Sequence, residues 1–304
     1  MCKHMTFEQV SLPYGIQPAG YRLPEGTHPG AVRLQVSDLE RSIDYYRGFL
    51  GMAVLSKGDR EAQLGPAGAD RRLIILTERR GARPVPRRGT LGLFHFAILL
   101  PDRASLARFV NYLAEAGAHP GMSDHAVSEA VYLTDPDGLG IEVYADRPPA
   151  SWRYRNRQLV MTTQPIDVRA LLPEAGGTPW SGMPAGTVIG HVHLHVADLA
   201  EAAAFYHSAL GFDKVVWDYP GALFMSAGGY HHHLGTNTWS PGLPAAEDQA
   251  RLLSWDLVVP RTEDAAAAAR SLARAGYSVT EDDASGAWRA DDPWGTTLRL
   301  ISNS

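Results

Sequence analysis

The sequence is poor in cysteine, in long apolar runs and in runs of like charge. Its single cysteine, Cys2, excludes a disulfide framework, a thiolate metal site and a cysteine nucleophile. No apolar stretch approaches the ~18 residues that span a bilayer, and the first twenty residues lack the apolar centre of a signal peptide. The net charge is −5 without a basic patch, so nucleic acid and anionic membranes are not expected partners. We therefore expect a cytoplasmic protein that acts on a small molecule.

Histidine is the residue type that stands out. The chain has 12 histidines, and half of them lie in residues 190–195 and 230–233. Its 304 residues are about twice a typical domain length, which favours two domains or one large two-part domain.

An internal repeat predicts the folding unit. Residues 31–51 align without a gap on residues 191–211, at an offset of 160 positions. Each copy alternates apolar and polar residues, as a strand does, and then changes to a helical period that ends at Gly51 or Gly211. Short alternating runs broken by Gly and Pro follow. The unit is therefore predicted to be a βαβββ module.

A second repeat interleaves with the first. Its first copy consists of residues 95–101, a predicted helix that ends at Gly117 and a turn at 135–138. Its second copy consists of residues 254–260, a predicted helix that ends at Gly276 and a turn at 292–295. The fold class is therefore α+β, with four βαβββ modules forming two curled mixed-sheet cups. We predict an N-terminal arm (1–29), modules one and two (30–147), a connector (148–188) and modules three and four (189–304).

The positions that would face a cup identify candidate metal ligands. At the start of the four modules stand Ala31, His95, His191 and Ser254, and at the last strand of modules two and four stand Glu142 and Arg299. A lone histidine in a strand is more often a packed or surface residue than a ligand. Two histidines at one module position, with a carboxylate nearby, instead predict a two-His-one-carboxylate metal site of His95, His191 and Glu142. Modules one and four then serve the structure only.

Other polar residues are candidates for acid–base roles. His125 and Tyr132 lead directly into the glutamate strand and are acid–base capable, although a loop histidine and a half-buried aromatic are equally ordinary interpretations. The run His231–His233 would alternate sides in a strand, so either the middle one or the outer two face inward, and His232 is favoured. We also expect Asp146 and Arg147 to pair at the strand end.

The motifs at 124–142, 190–199 and 229–239 resemble the catechol 2,3-dioxygenase branch of the vicinal-oxygen-chelate superfamily, and the resemblance covers nearly the whole chain. It implies an extradiol dioxygenase that opens the ring of an aromatic diol with O2 and Fe(II), with Mn(II) as the alternative ion. The implied iron ligands are His95, His191 and Glu142. The implied acid–base residue is His232, with Tyr132 and His125 bonding a substrate oxygen; the spacing of His125 departs from the family pattern.

The module order is a further departure, because the better-known members of the resembling family take their ligands from modules three and four. Here module two must pair with module three, within one chain or between subunits of a homo-oligomer. Two rivals remain. A glyoxalase-like lyase, isomerase or epimerase would use four ligands, which His95, Glu142, His191 and His232 could supply. A sequestering protein of the bleomycin-resistance kind would hold its ligand without a metal.

Overall fold

The structure is a computed structural model that describes residues 14–86, 88–282 and 285–303. Cys2 and the first part of the predicted N-terminal arm lie outside these residues. Strands dominate the described residues. In chain order they are β1 (His28–Val36), β2 (Ala53–Lys57), β3 (Glu61–Gly65), β4 (Ile74–Glu78), β5 (Thr90–Leu99), β6 (Gly121–Asp124), β7 (Ser128–Thr134), β8 (Gly140–Asp146), β9 (Tyr154–Arg155), β10 (Gln158–Leu159), β11 (Val188–His195), β12 (Asp213–Val216), β13 (Ala222–Ser226), β14 (Leu234–Asn237), β15 (Leu243–Pro244), β16 (Arg251–Val259), β17 (Val279–Asp282), β18 (Ala287–Asp291) and β19 (Thr297–Ser302).

The helices are short and lie between the first and second strands of each module or in the connector. They are α1 (Leu39–Asp44), α2 (Arg103–Glu115), α3 (Val168–Leu171), α4 (Leu199–Ala202) and α5 (Thr262–Arg274). The first and fourth continue into wider turns of π-helical geometry over Tyr45–Phe49 and Ala203–Ala209, and 3-10 turns occupy Pro149–Ser151 and Leu172–Ala175. No helix among the described residues is long and apolar enough to cross a membrane.

The repeated aspartates of modules one and three begin their helices in the same way. The Asp38 side chain accepts a hydrogen bond from the backbone N–H of Arg41, and the Asp198 side chain accepts from Ala200 and Glu201. Each satisfies backbone donors that have no partner within the helix. Gly51 then takes a φ of +77° where the first module's helix ends, a conformation that costs glycine little.

Two mixed sheets divide the modules between them. The site sheet, from modules two and three, has the strand order β12-β13-β14-β11-β5-β8-β7-β6, and β15 pairs with β5. The second sheet, from modules one and four, has the order β17-β18-β19-β16-β1-β4-β3-β2. The predicted α+β class is confirmed, and modules two and three pair within one chain through antiparallel β5 and β11.

Equivalent tyrosine and aspartate pairs connect modules across the two sheets. The hydroxyl of Tyr46 donates to Asp135 at 3.2 Å, and that of Tyr206 donates to Asp292 at 2.9 Å. The tyrosines are fully buried, and the aspartates also accept backbone N–H groups of their own turns. Module one is thereby fixed to module two, and module three to module four.

Asp135 gives the fold a predicted pH dependence. Burial raises the pKa of its carboxyl from 3.8 to about 6, against the opposing effect of backbone hydrogen bonds. Because the folded state holds this proton more tightly, the Asp135 contribution to stability is full below pH 4 and falls as pH rises towards 6. Replacing Asp135 with Asn should remove the dependence. Relative to Asp135→Asn, the wild type should lose about 2 kcal/mol of unfolding free energy between pH 4.5 and 7.

The measurement is urea unfolding of both proteins at several pH values. Asn keeps an oxygen that can accept the turn's hydrogen bonds, so it is the matched replacement. Parallel stability curves for the two proteins across this pH range would contradict the prediction.

Candidate metal centre

Three adjacent strands bring the predicted ligands together. The strands β8, β5 and β11 are neighbours in the site sheet, with Ala97 opposite Glu142 on one side and His191 on the other. The Nε2 atom of His95 lies 3.0 Å from the Glu142 Oε2 atom, and Nε2 of His191 lies 3.3 Å from the same oxygen. The two Nε2 atoms are 3.3 Å apart. All three side chains are buried.

The triangle formed by these three atoms has the size of one face of a metal's coordination sphere. Edges of 3.0, 3.3 and 3.3 Å correspond to bonds of about 2.1 to 2.3 Å if the ligands stand at right angles, which is close to the usual range for imidazole and carboxylate ligands. Two imidazoles and one carboxylate on one face leave the opposite face free for other ligands. The residues therefore fit a divalent ion.

The protonation states also suit metal binding. Burial by itself would raise the pKa of Glu142, but the adjacent His191 and His95 hold it well below 4.5. Burial lowers the pKa of His191 to about 4 despite the nearby carboxylate. An ionised carboxylate beside a neutral imidazole is the form that a metal ion requires of these ligands.

A cavity of about 320 Å³ opens onto this group. Its lining is mostly aromatic or histidine, with a few hydroxyl groups. The lining residues are Phe94, His95, Ser123, His125, Tyr132, Glu142, Met161, Thr162, Thr163, His191, His193, Tyr219, Phe224, His232 and Trp239. All six residues that the sequence singled out as metal ligands or acid–base groups are among them.

His125 and Tyr132 form a hydrogen-bonded pair at the cavity. The Nδ1–H of His125 donates to the carbonyl of Thr162 at 2.6 Å, and Nε2 accepts from the Tyr132 hydroxyl at 2.6 Å. Burial and the nearby Glu142 raise the pKa of Tyr132 above 10. Tyr132 thus keeps its proton and stands as a donor 5.7 Å, ring to ring, from His95.

The histidine triple differs from the predicted strand geometry. Residues 231–233 precede β14 instead of lying in it, so the alternation of sides does not apply. His232 lines the cavity, with its ring 4.1 Å from that of His191. His231 lies behind it and is fully buried, and His233 accepts from the backbone N–H of Ala227.

The expected pairing of Asp146 with Arg147 was wrong. Arg147 instead contacts Asp124 at 2.6 Å and Glu129 at 3.2 Å. Asp146 accepts from Nε2 of His231 at 2.8 Å. Successive residues of a strand point to opposite faces, so each finds its partner on a different side of β8.

Some lining residues gave no signal in the sequence. Met161, Thr162 and Thr163 belong to the predicted connector, whose composition suggested only a link between domains. Asn237 donates to His193 at 2.9 Å and accepts from His195 at 2.7 Å, and Trp239 lines the cavity. A hydrogen bond between side chains of different strands leaves no periodic pattern in the sequence.

The second sheet carries no comparable cluster among the described residues. Arg299 and Asp256 stand opposite each other in β19 and β16, at the register where the site sheet has Glu142 and Ala97. The Arg299 guanidinium donates to the Asp256 carboxylate at 2.8 Å, and both are buried. An ion pair therefore occupies the register position at which the site sheet has the candidate ligand Glu142.

Comparison with known proteins gives the family. Residues 28–143 and 188–300 match the Glyoxalase/Bleomycin resistance protein/Dioxygenase superfamily, and the chain belongs to it. The chain is 47% identical over 274 residues to the catechol-2,3-dioxygenase of Bacillus subtilis (strain 168), covering 88% of this chain and 95% of that protein. The resemblance stated from the sequence is confirmed.

Solved structures of low sequence identity share the fold. A Bacillus subtilis (strain 168) protein assigned to the dioxygenases has a TM-score of 0.64 at 15% identity, covering 93% of this chain and 86% of its own. Glyoxalase I from Zea mays has a TM-score of 0.54 at 18% identity, covering 91% and 93%.

Removal of Glu142 should abolish metal retention. Glu142→Ala takes away the only carboxylate of the triangle and leaves two imidazoles, so we expect binding of Fe(II) or Mn(II) to weaken by at least about 100-fold. Metal content after dialysis, together with a metal titration, measures the loss. Glu115→Ala, at the exposed end of α2, is the matched control and should bind as the wild type does. Wild-type metal content in Glu142→Ala would reject this site.

Proposed function

We propose that this protein is an extradiol dioxygenase, which opens the ring of a catechol-type aromatic diol with O2 at an Fe(II) ion held by His95, His191 and Glu142. The observation that carries the proposal is the facial arrangement of two imidazoles and one carboxylate in a chain 47% identical to a catechol-2,3-dioxygenase. This arrangement with open positions is typical of non-haem Fe(II) oxygenases. Mn(II) is the alternative ion, because both metals accept the same ligands.

When bound, the ion would hold the diol and O2 side by side and conduct electrons between them. The cavity supplies the rest of the environment. Phe94 and Phe224 offer apolar walls to an aromatic ring, and about 320 Å³ is near the lower end for small-molecule pockets. A small diol with one ring suits this volume.

Tyr132 and His125 are proposed to bind a substrate oxygen. The Tyr132 hydroxyl keeps its proton and shares it with His125 Nε2 at the cavity wall, so a substrate oxygen receives this proton when the O–H turns from His125 to the substrate. Because Nδ1 of His125 donates to a backbone carbonyl, the ring orientation is fixed. A fixed donor at this wall stabilises negative charge on an oxygen more than bulk water does.

His232 is proposed to move protons during the reaction. It lines the cavity beside the metal ligand His191, and burial lowers its pKa well below 6.5, so the free ring is neutral at pH 7. A neutral imidazole can accept the proton of a diol hydroxyl and return it later to an oxygen of the opened ring.

The two rival functions fit less well. A glyoxalase-like enzyme would use four ligands, yet within the described part of the chain only three donor residues converge, and His232 is not among them. A protein that sequesters its ligand without a metal has no use for a buried carboxylate held between two imidazoles, because such burial is unfavourable without a function. Both observations favour ring cleavage.

Ring cleavage is tested directly by oxygen uptake. Purified protein is loaded with Fe(II) under argon, catechol is added and then air, and oxygen consumption is followed together with the yellow absorbance of a semialdehyde. We expect one O2 consumed for each ring opened, and at least about 100-fold less product from Glu142→Ala. The Glu115→Ala protein is the control for handling and loading.

The other outcomes separate the rivals. Iron-loaded protein that consumes no O2 with several substituted catechols would contradict the proposal and favour a lyase or isomerase. Protein that retains no metal under any condition would favour the sequestering function.

A further inference from the structure

Behind His232 lies a buried chain of hydrogen bonds that the proposed reaction does not itself explain. Nδ1 of His232 is 2.7 Å from Nδ1 of His231, and Nε2 of His231 is 2.8 Å from the Asp146 carboxylate. The same carboxylate oxygen is 3.1 Å from the Tyr230 hydroxyl. His231 is fully buried and the Asp146 side chain is about one-quarter exposed, so the chain runs from the cavity towards the surface.

The protonated nitrogens in this series of hydrogen bonds can be assigned by starting from the Asp146 carboxylate. An ionised carboxylate only accepts hydrogen bonds, so Nε2 of His231 carries the proton that it shares with Asp146. In a neutral imidazole the other nitrogen is then an acceptor. His231 Nδ1 must therefore accept, and His232 Nδ1 must donate.

The consequence is a defined tautomer of His232. With its proton on Nδ1, the neutral ring has an unprotonated Nε2, and no group among the described residues donates to that nitrogen. Nε2 is thus left for the cavity, as a proton acceptor. The opposite neutral tautomer of His232 would set two bare nitrogens against each other between His231 and His232, or leave Asp146 facing a bare nitrogen.

The surroundings hold this arrangement rigid. The His231 ring lies 4.0 Å from the Tyr230 ring and 5.5 Å from that of Trp152. Tyr230 is tied in turn to the hydroxyl of Tyr144 at 2.7 Å. Such packing leaves His231 little freedom to rotate.

We propose that Asp146 and His231 are positioning residues that fix His232 as the Nδ1–H tautomer, so that Nε2 accepts the proton of a substrate hydroxyl. The proposal rests on the proposed function. In the step, the O–H bond of the diol breaks and an N–H bond forms at Nε2. The positive charge on His232 is stabilised through His231 by the carboxylate of Asp146, as in other carboxylate–histidine arrangements.

The tautomer can be measured without catalysis. The full chain, labelled with ¹⁵N in its histidines and studied with and without diamagnetic Zn(II), is examined by long-range ¹H–¹⁵N correlation at neutral pH. His232→Gln identifies the His232 signals by their disappearance. We expect a protonated Nδ1 and an unprotonated Nε2, and a protonated Nε2 on neutral His232 would overturn the proposal whatever the activity.

Substitution of His231 then tests the role of the hydrogen bonds behind His232. His231→Phe keeps an aromatic ring but removes the acceptor, so we expect His232 to lose its single tautomer and kcat to fall about 10- to 100-fold, with KM changed less than about twofold. His207→Gln, in a buried histidine that bonds the carbonyl of Phe212 and does not line the cavity, is the control and should leave the tautomer and kcat unchanged. Full kcat in His231→Phe would overturn the proposal.

The two proposals fail separately. An Nδ1–H tautomer in a protein that opens no catechol ring would contradict ring cleavage and leave the tautomer assignment in place. Ring cleavage by a protein whose His232 is the Nε2–H tautomer would contradict the tautomer assignment and leave the proposed ring cleavage in place.

Discussion

The antiparallel pairing of β5 with β11 is the constraint on which the rest of the structure depends. It sets His95 opposite His193 and His191 opposite Ala97, with register shifts between Ile189 and His191 and between His193 and Leu194. Shifting one strand by a single residue would turn its side chains to the other face. The candidate metal centre therefore forms only in this register, and parallel β8 completes it by bringing Glu142 beside Ala97.

Contacts between neighbouring modules close the four modules into a ring that protects this register. Modules two and three share β5 and β11, and modules four and one share β16 and β1. Modules one and two, and modules three and four, are connected by contacts that include the Tyr46–Asp135 and Tyr206–Asp292 hydrogen bonds. Because each module is held on two sides, slippage of the site strands would also break contacts in the second sheet. The modules without ligands thus contribute to the function through the geometry that they maintain.

Much of this fold could be predicted because the chain repeats itself. The offset of 160 residues and the change from strand to helical period predicted the α+β modules. The positions of His95, His191 and Glu142 required module two to pair with module three, within one chain or between subunits. The convergence of His95, His191 and Glu142 follows from the same register. The position of Met161, the bend that carries His231 and the partner of Asp146 depend on contacts between distant segments, and no local period encodes such contacts.

The two sheets also show why only one of them calls for a ligand. In the second sheet Asp256 faces Arg299, and the two charges satisfy each other within the protein. In the site sheet Ala97 takes the place of Asp256 and Glu142 takes that of Arg299, so no ion pair forms there. Among the described residues, the Glu142 carboxylate lies beside the imidazoles of His95 and His191. Burying such a group is costly unless a further charge balances it. A divalent cation would be that charge. The presence of Ala97 and Glu142 in place of Asp256 and Arg299, together with His95 and His191 in place of Ser254 and Ala31, therefore separates the structural sheet from the candidate metal-binding one.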